Sequence, residues 1–560
     1  MPAGQLNLVG WRALTASYPE RRLVETILGI CQFGAKIGYE GTRSTIQIHS
    51  NLSGAEDLPE IIAADIAAEP EKNRLQYYPS QSSLPDYYIA SPLGLTDKSD
   101  SSKRRIHHLS YPTNTERSIN AGIPELYGNI KYSSIEDATT GVSKLGQGCY
   151  LIKRDFENAL RHIPICPEDS PLLGFHWENR YYSEQFLPFG LRTAPYIFNL
   201  YAEMFQWILV EDLNPGGDCV ETVHYVDDFL MIVPPGVNPA AYSKRFQTLS
   251  EVVGLASKEL KNEEGRVATF GGIELDTGRM VIRLPEKKLK NARNVIQNAI
   301  QATSLSLTEL QKITGYLNFV ATVVPLGRTF LRRLYNMQLY FPSQSHRQRR
   351  RISSEAHKDL ASWLRVLKIE PVRSILTQRR QIVTMWSAAS GSKGLGAYYI
   401  LGGDKEPRVR NPQSAVALAH NPMPGMAFSI SLPRYITHTC EHINTKEMRA
   451  VEQALLHWGK KWQGRKVIVH THNRAVAYGI ANRTNRGGSM VVLRRCLLLA
   501  AEHDIEVETE WISTTDNALA DALSRFNFEK VADLAPQLLH PTSSLRDLGF
   551  LTYRRRASQL

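Results

Sequence analysis

The chain has 560 residues, of which 42% are hydrophobic and 22% are charged, so it can build ordinary globular cores in roughly three to four domains. Its formal net charge of +11 and pI of about 9.2 favour a polyanionic partner, although a basic balance alone also suits a protein that binds none. No run of about 18 apolar residues is present, and the N-terminus lacks a secretory pattern. We therefore expect no membrane segment and an intracellular protein of cytoplasm or nucleus.

Six cysteines are scattered along the chain and form no Cys-x-x-Cys pair. Such spacing favours free thiols in a reducing compartment over a disulfide framework. The cysteines are Cys31, Cys149, Cys166, Cys219, Cys440 and Cys496.

Residues 1–75 carry helical patterns. Apolar residues recur at helical spacing from Leu23 to Cys31. A second helix is predicted from Pro59 to about Ala68, because proline favours the first helical turn. We interpret this region as a packing element.

Two adjacent acids, Asp227 and Asp228, lie between apolar runs in the stretch 221–232, ETVHYVDDFLMI. The pattern predicts a β-hairpin with the acids at or beside its turn. Carboxylates projected from a rigid hairpin suit Mg²⁺, which prefers oxygen ligands and substrate phosphates. Aspartate is also common in turns because its side chain hydrogen-bonds to the backbone there. The Asp pair therefore indicates a metal site only in combination with the motifs that precede it.

Two further motifs precede that pair. Residues 151–164, LIKRDFENALRHIP, carry Asp155 after an apolar run, and 187–198 read LPFGLRTAPYIF. The three stretches, in this order, resemble motifs A, B and C of reverse transcriptases. The resemblance implies that Asp155 and Asp227 bridge two Mg²⁺ ions, with Mn²⁺ as a substitute, and that Asp228 assists. It also implies an RNA template, a DNA primer, their hybrid and deoxynucleoside triphosphates as partners.

The same resemblance assigns a nucleotide pocket. Lys98 and Arg105, in the basic stretch 91–112, match the cations that clamp a triphosphate, for which an Arg fork is well suited. Phe189 and Gly190 would line the pocket, and Gly190 would permit close backbone approach. A solvated basic turn is the alternative for 91–112.

Leu160 departs from the family pattern. The family has an aromatic residue at this position, stacked under the sugar, and the smaller Leu160 should discriminate less well between ribose and deoxyribose. Alternatively, Leu160 packs in the interior and Arg161 or another group performs the discrimination.

Residues 254–277 resemble motifs D and E. Lys258 or Lys261 would lie near the leaving pyrophosphate, and the helical spacing leaves that choice open. Phe270, Gly271 and Gly272 would form the turn that holds the primer end, a primer grip.

Residues 381–527 resemble a ribonuclease H domain, whose family holds two Mg²⁺ ions with four acids. Glu447 and Asp521 match two of those acids, whereas Ala388 and His472 occupy the other two positions. A nitrogen ligand suits Mg²⁺ poorly, so we predict that hybrid cleavage is absent or nearly so. Cleavage would remain possible if Asp504 or Asp516 took the place of a missing acid.

The predicted fold class is α+β, a right-hand polymerase followed by an RNase H-like α/β domain. The expected domains are an N-terminal helical extension at 1–75, fingers and palm at 76–285, a thumb at 286–340, a connection at 341–380, the RNase H-like domain at 381–527 and a tail at 528–560. The chain resembles a DIRS-like or gypsy-like retroelement polyprotein, as a fragment or remnant. A non-catalytic nucleic-acid-binding relic is the alternative, and the oligomeric state is open.

Overall fold

A computed structural model describes residues 6–69, 73–97, 103–113, 117–213, 220–257, 262–342, 348–368, 371–375, 380–402, 422–423, 425–438 and 441–539. The chain divides into two compact units, Met1–Arg283 and Leu284–Leu560. Both units mix helices with sheets, as an α+β protein should.

The first unit contains seven α-helices and fourteen strands within its described residues. The helices are α1 (Leu8–Leu14), α2 (Arg21–Phe33), α3 (Ser53–Glu56), α4 (Pro59–Ala68), α5 (Ile135–Leu145), α6 (Ala194–Leu213) and α7 (Ala240–Val253). The strands are β1 (Ile46–Ile48), β2 (Leu75–Tyr78), β3 (Tyr88–Ala90), β4 (Leu93–Asp97), β5 (Lys103–His107), β6 (Tyr150–Asp155), β7 (Gly174–Trp177), β8 (Arg180–Glu184), β9 (Glu221–Tyr225), β10 (Asp228–Val233), β11 (Glu263–Gly265), β12 (Val267–Phe270), β13 (Ile273–Asp276) and β14 (Val281–Arg283).

A four-stranded antiparallel sheet in the order β11-β6-β10-β9 forms the centre of this unit. Strand β10 reads as an unbroken apolar run after its first residue and is buried from Phe229 to Val233. Helix α6, which begins just after the 187–193 segment, shares one apolar core with this sheet and with α7. Burial of both kinds of element against each other fixes the sheet's position.

A second sheet has the strand order β1-β3-β7-β8-β2. Strands β4 and β5 form a separate hairpin. Strands β12, β13 and β14 pair in antiparallel fashion. We call the β4–β5 pair the basic hairpin, because β5 carries Lys103, Arg104 and Arg105. Helix α4 packs beside it, with Ile62 and Ile66 in a small core shared with β4, β7 and β8.

The predicted N-terminal helices are present. The chain is helical from Arg21 to Phe33 and from Pro59 to Ala68, with proline in the first turn of the second helix. The region is not only helical, however, because β1 pairs in parallel with β3 and so joins the second sheet. A three-residue strand gives too short an alternation to be found by pattern.

The second unit contains ten α-helices and eight strands within its described residues. The helices are α8 (Glu286–Gln301), α9 (Leu307–Val320), α10 (Arg332–Gln338), α11 (Ser354–Lys368), α12 (Arg434–His438), α13 (Ile443–Trp458), α14 (Arg474–Asn482), α15 (Gly487–Glu502), α16 (Ala518–Arg525) and α17 (Phe528–Leu534). The strands are β15 (Ser304–Ser306), β16 (Arg349–Arg351), β17 (Val372–Ser374), β18 (Ile382–Ala389), β19 (Gly394–Leu401), β20 (Ala427–Ser431), β21 (Lys466–Thr471) and β22 (Glu506–Trp511).

Two helices, α8 and α9, follow residue 285. Ser306 caps α9 and exchanges hydrogen bonds with Glu309, a capping box that satisfies two free N–H groups at the helix start. The local signal for this helix start was therefore readable in the sequence.

The main sheet of the second unit has the order β20-β19-β18-β21-β22. Strands β18, β21 and β22 are parallel, whereas β19 and β20 run antiparallel to their neighbours. Helices α13 and α15 cover one part of the core and α16 and α17 another.

Among the helices of the described residues, none has the length and apolar character needed to cross a bilayer. Cys31, Cys149, Cys166 and Cys496, the cysteines with a described placement, are free thiols, as predicted for them.

Candidate active sites

Strands β6 and β10 bring the predicted acids together. Asp228 is the register partner of Asp155 in this antiparallel pair, and directly opposed Cα atoms in such pairs lie roughly 4.5–5.5 Å apart. Asp155 is buried, at 1% exposure. One strand pairing thus brings together two acids that lie 73 positions apart in the sequence.

The turn between β9 and β10 consists of Val226 and Asp227, because Tyr225 pairs with Asp228. Val226 has a φ of +57°, which is unfavourable for a β-branched residue. Strain of this kind persists where the surrounding structure imposes it. Here Val226 packs against the main core, so the tip of the hairpin is held in one position.

Burial, together with repulsion from Asp155 and Asp228, raises the pKa of Asp227 to about 6, and a hydrogen bond with the Asp155 side chain acts in the same direction. Negative charge is therefore concentrated at one point. Lys153 lies on the same strand as Asp155, and its Nζ is 3.7 Å from Asp228 Oδ1 and 3.3 Å from Glu263 Oε1.

Within the described residues, no three or more His, Cys, Asp or Glu side chains are already arranged as a metal-ligand cluster. The three carboxylates nevertheless fit a divalent cation by their chemistry. They are oxygen ligands, and Asp155 and Asp228 add to the effect of burial in raising the pKa of Asp227, a repulsion that a cation would relieve.

Helix α6 contacts the β9–β10 hairpin through side-chain hydrogen bonds. Gln206 Nε2 donates to the Thr222 carbonyl oxygen at 2.6 Å, and the Gln206 amide oxygen contacts His224 Nδ1. His224 stacks on Phe229, and burial lowers its pKa to about 4. A neutral ring and an amide therefore connect α6 to both strands of the hairpin.

Gly190 lies against the end of the basic hairpin. Its φ is +105°, and a Cβ at this position would lie 2.3 Å from the His107 carbonyl oxygen. Gly190 therefore permits a close approach of a backbone carbonyl of the chain itself, and its predicted place in a nucleotide pocket stays a prediction. Asn120 accepts from Arg192 N and donates to Gly190 O, each at 2.8 Å.

Phe189, predicted to line the nucleotide pocket, carries a cation on its ring. The Arg104 guanidinium carbon lies 4.2 Å from the centre of that ring. Arg104 is exposed, and sequence reasoning passed over it in favour of its neighbour. Strand alternation was the available signal, because Arg104 and Arg105 must face opposite sides of β5.

Arg105 does not lie where the sequence interpretation placed it. Its Nε donates to Asp65 Oδ2 at 2.5 Å and its Nη1 to Glu184 Oε1 at 3.2 Å. Its side chain is only 8% exposed and also covers the Phe175 ring. The guanidinium is therefore occupied by carboxylates of the chain, and a triphosphate clamp at Arg105 does not fit this placement.

Leu160 lies in a 3₁₀ turn, Ala159–His162, directly after β6 and packs half-buried against the main core. Arg161, the alternative discriminating group, is buried, and its guanidinium donates to Glu184 at 2.7 Å and Glu69 at 3.1 Å. Arg161 is therefore a structural residue, and Leu160 remains the candidate at this position.

The remaining predicted residues of this unit divide into two groups. Lys98, Lys258 and Lys261 lie outside the described residues. Gly271 and Gly272 form the two-residue turn between β12 and β13, with φ of +54° and +79°, and Phe270 before them is buried. Positive φ at both central residues is typical of the tightest hairpin turns.

In the second unit, the four predicted ribonuclease H positions meet. Ala388 lies buried near the end of β18, and the N–H of the next residue, Ala389, donates to the Glu447 carboxylate. His472 follows β21, and its Nε2 lies 3.6 Å from Glu447 Oε1. Asp521 on α16 is close enough to raise the pKa of Glu447.

The chemistry of this cluster differs from that of four carboxylates. Burial first, and then Asp521, raises the pKa of Glu447 to about 8, which disfavours its carboxylate form. Asn517 Nδ2 donates to the Ser387 carbonyl oxygen at 2.9 Å and to His472 Nδ1 at 2.8 Å. Arg525 pairs with Asp521 at 2.8 Å.

The two acids considered as replacements have other partners. Asp504 forms a salt bridge with Arg380 at 2.9 Å, and Asp516 accepts a hydrogen bond from the Ser513 hydroxyl at 2.6 Å within its own loop. Neither contact belongs to the Glu447 cluster.

Residues 98–261 match the sequence profile of the family described as "Reverse transcriptase (RNA-dependent DNA polymerase)". This match relates the segment to the reverse transcriptases. Over a longer region, 409 residues covering 71% of the chain are 23% identical to a polyprotein of Cassava vein mosaic virus, of which they cover 56%.

Shorter matches occur to other viral proteins. Protein P of Duck hepatitis B virus (strain China) is 22% identical over 34% of the chain and 23% of its own length. The Pro-Pol polyprotein of Feline foamy virus is 26% identical over 35% of the chain and 15% of its own length. The chain therefore spans about half, or less, of these relatives.

Among solved structures, a foamy viral protease-reverse transcriptase in complex with double-stranded DNA aligns with a TM-score of 0.46 and 16% identity over 91% of this chain and 83% of that one. The foamy viral enzyme in complex with an RNA/DNA hybrid aligns with a TM-score of 0.43 and 14% identity, over 93% and 86% of the two chains.

Proposed function

We propose that this chain is an RNA-directed DNA polymerase of a retroelement, of the DIRS-like or gypsy-like group, that adds deoxynucleotides to a primer 3′-hydroxyl. The observation that carries the proposal is the register of β6 and β10, which sets Asp155 opposite Asp228 and beside Asp227. Buried and partly buried carboxylates are seldom crowded in this way without a cationic ligand.

Asp155 and Asp227 would hold two Mg²⁺ ions, or Mn²⁺, which when bound stabilise the attacking and leaving oxygens of phosphoryl transfer. Asp228 would assist. Its supporting role agrees with the nearby Lys153, which already offsets part of its charge at 3.7 Å. The strained but well-packed hairpin tip keeps Asp227 oriented toward Asp155.

The nucleotide would approach beside Phe189 and Gly190, with Leu160 under its sugar. Arg104 is the described cation best placed for the triphosphate, because it is exposed and stacked on Phe189. Lys98 and either Lys258 or Lys261 remain candidates by resemblance alone. Phe270, Gly271 and Gly272 would contact the primer end through their turn.

The second unit would be an RNase H-like domain without cleavage activity. Burial raises the pKa of its Glu447 to about 8, its His472 is engaged by Asn517, and its Asp521 is already paired with Arg525. Such a set is a poor ligand for a Mg²⁺ pair. An RNA–DNA hybrid would then be bound but not cut.

Primer extension tests the polymerase proposal directly. Purified full chain is mixed with an RNA template, a DNA primer, deoxynucleotides and Mg²⁺, beside the variants Asp227→Ala and Asp212→Asn. Asp212 pairs with Arg245 on α7 and belongs to no candidate site. We expect extension by the unmodified chain and by Asp212→Asn, and none by Asp227→Ala.

Two results decide against the polymerase. If the unmodified chain extends nothing, while it and Asp227→Ala bind a hybrid equally, the chain is a non-catalytic nucleic-acid-binding relic. If Asp227→Ala extends as well as the unmodified chain, the carboxylate site is not the catalytic centre.

A further inference from the structure

The N-terminal helix α4 carries two acids, one in its last turns and one just after its end, whose partners lie in the polymerase-like part of the unit. Asp65 accepts from Arg105 on the basic hairpin, and Glu69 accepts from Arg161 in the 3₁₀ turn after β6. Helix α4 precedes the segment that matches the reverse transcriptase family. Nothing in that family match therefore assigns these acids a role.

The two contacts belong to one continuous ionic network. Glu184 on β8 receives Arg105 through Oε1 and Arg161 through Oε2, and Arg74 lies 4.0 Å from Glu69. The positive charges of three arginines thus balance the negative charges of three carboxylates. We call this group the α4 network; it consists of Asp65, Glu69, Arg74, Arg105, Arg161 and Glu184.

The α4 network holds β5 on one side, through Arg105. Neighbouring residues of a strand point to opposite sides, so fixing Arg105 against Asp65 and Glu184 turns Arg104 to the other side. There the Arg104 guanidinium lies over Phe189, 4.2 Å from the ring centre. The end of the same strand is also fixed in position, because Gly190 packs closely against the His107 carbonyl oxygen.

Helix α4 does not depend on these ion pairs for its own placement. Ile62 and Ile66 are at most 6% exposed and share a core with Phe175 and Tyr182. Removing the Asp65 charge should therefore leave the helix docked and loosen only the hairpin.

We propose that Asp65, supported by Glu69, is a positioning residue for nucleotide binding: through Arg105 it sets the basic hairpin so that Arg104 meets the incoming triphosphate. This inference rests on the proposed polymerase function. A cation pre-set in its binding geometry loses less freedom when the phosphate arrives, so the role of Asp65 should appear in nucleotide affinity.

Single-nucleotide extension by the full chain provides the test, with Asp65→Asn, Asp65→Glu and the control Glu60→Gln. Glu60 is an exposed acid on the same helix. We expect Asp65→Asn to raise KM for the deoxynucleotide by about tenfold, within the roughly hundredfold that a 1 Å misplacement can cost, while kcat changes by less than about twofold. Asp65→Glu should restore most of the affinity, and Glu60→Gln should behave as the unmodified chain.

An unchanged KM in Asp65→Asn overturns the inference, as does an equal loss in Glu60→Gln. Failure of the unmodified chain to extend a primer would remove the proposed function instead. In that case, equilibrium binding of a fluorescent deoxynucleotide to the chain on a dideoxy-terminated primer still decides the inference. Weaker binding by Asp65→Asn alone supports it, and equal binding, or no binding by the unmodified chain, overturns it.

Discussion

Asp155 and Asp228 are directly opposed residues of one antiparallel strand pair, although 73 positions separate them in the chain. A strand pairing is a strong constraint on register, because a slip by one residue would turn every side chain of β10 to the other face. The buried run from Phe229 to Val233 prevents such a slip. The hydrophobic core therefore determines the geometry of the acids.

This arrangement predicts unequal roles for the two opposed acids. Asp155→Asn should lower the rate of primer extension by about 10³-fold, since it removes a buried charged ligand of the proposed metal pair. Asp228→Asn should cost about tenfold to a hundredfold, because Lys153 already offsets that charge. Single-turnover extension measures both, and equal losses would refute the supporting role of Asp228.

Leu160 predicts weak discrimination between sugars. The unmodified chain should incorporate ribonucleotides readily, and Leu160→Phe should lower the ratio of ribonucleotide to deoxynucleotide kcat/KM by about tenfold. Leu160→Met, which keeps the volume nearly constant, is the matched control. If Leu160→Phe leaves that ratio unchanged, another residue contacts the sugar.

The second unit should not cut an RNA–DNA hybrid. Restoring both missing acids, with Ala388→Asp and His472→Asp together, should produce measurable Mg²⁺-dependent cleavage, because two more oxygen ligands then face Glu447 and Asp521. Adding Glu447→Gln to the restored pair should abolish it. Cleavage by the unmodified chain would show the prediction of inactivity to be wrong.

Gly190 predicts a large effect of a single methyl group on stability. Gly190→Ala combines strain from a φ of +105° with a contact of 2.3 Å to a backbone oxygen. Gly148→Ala is the control, since Gly148 has a φ of +86° but no atom within 4 Å of an added Cβ. We expect about 1–3 kcal/mol for the control and a further 1–3 kcal/mol for Gly190→Ala, measured by urea unfolding. Equal losses would contradict the contact.

The α4 network predicts a pH-dependent contribution to stability. Although burial alone would raise the pKa of Glu184, Arg161, Arg105 and His107 together lower it below its usual value. Its contribution is therefore fully present above the unfolded pKa of about 4.3 and is lost as the pH falls through the lower folded value.

Glu184→Gln should accordingly destabilise the unit by about 3–5 kcal/mol at neutral pH, because two buried arginines lose their shared partner. The difference from the unmodified chain should shrink below about pH 4. Glu211→Gln, at an exposed position of α6, is the control. A difference that stays constant into acid would contradict the lowered pKa.

The sequence predicts structure correctly where a short stretch of neighbouring residues carries the pattern. The acids at 227 and 228 stand between two apolar runs, and the β-hairpin predicted from that pattern is present. The assignment of Arg105 to a triphosphate does not fit its pairing with Asp65 and Glu184, because motif matching does not register which face of a strand a residue occupies.

Other site residues carry no local signal. Glu184 meets Arg105 across 79 positions, and Asn120 meets Gly190 across 70. These pairings follow from how sheets and loops pack, and a single glutamate or asparagine in the sequence does not indicate them. Ala388 and His472 became informative only by resemblance to a family with acids at those positions.

The charge balance around helix α4 bears on how this protein should be dissected in the laboratory. A recombinant fragment trimmed to residues 98–261 would keep Arg105, Arg161 and Glu184 but discard Asp65 and Glu69. Arg105 and Arg161 would then keep Glu184 as the one carboxylate of the α4 network that remains to them. Fragment boundaries drawn from family matching alone would therefore yield an insoluble or misassembled product, and expression should begin upstream of residue 59.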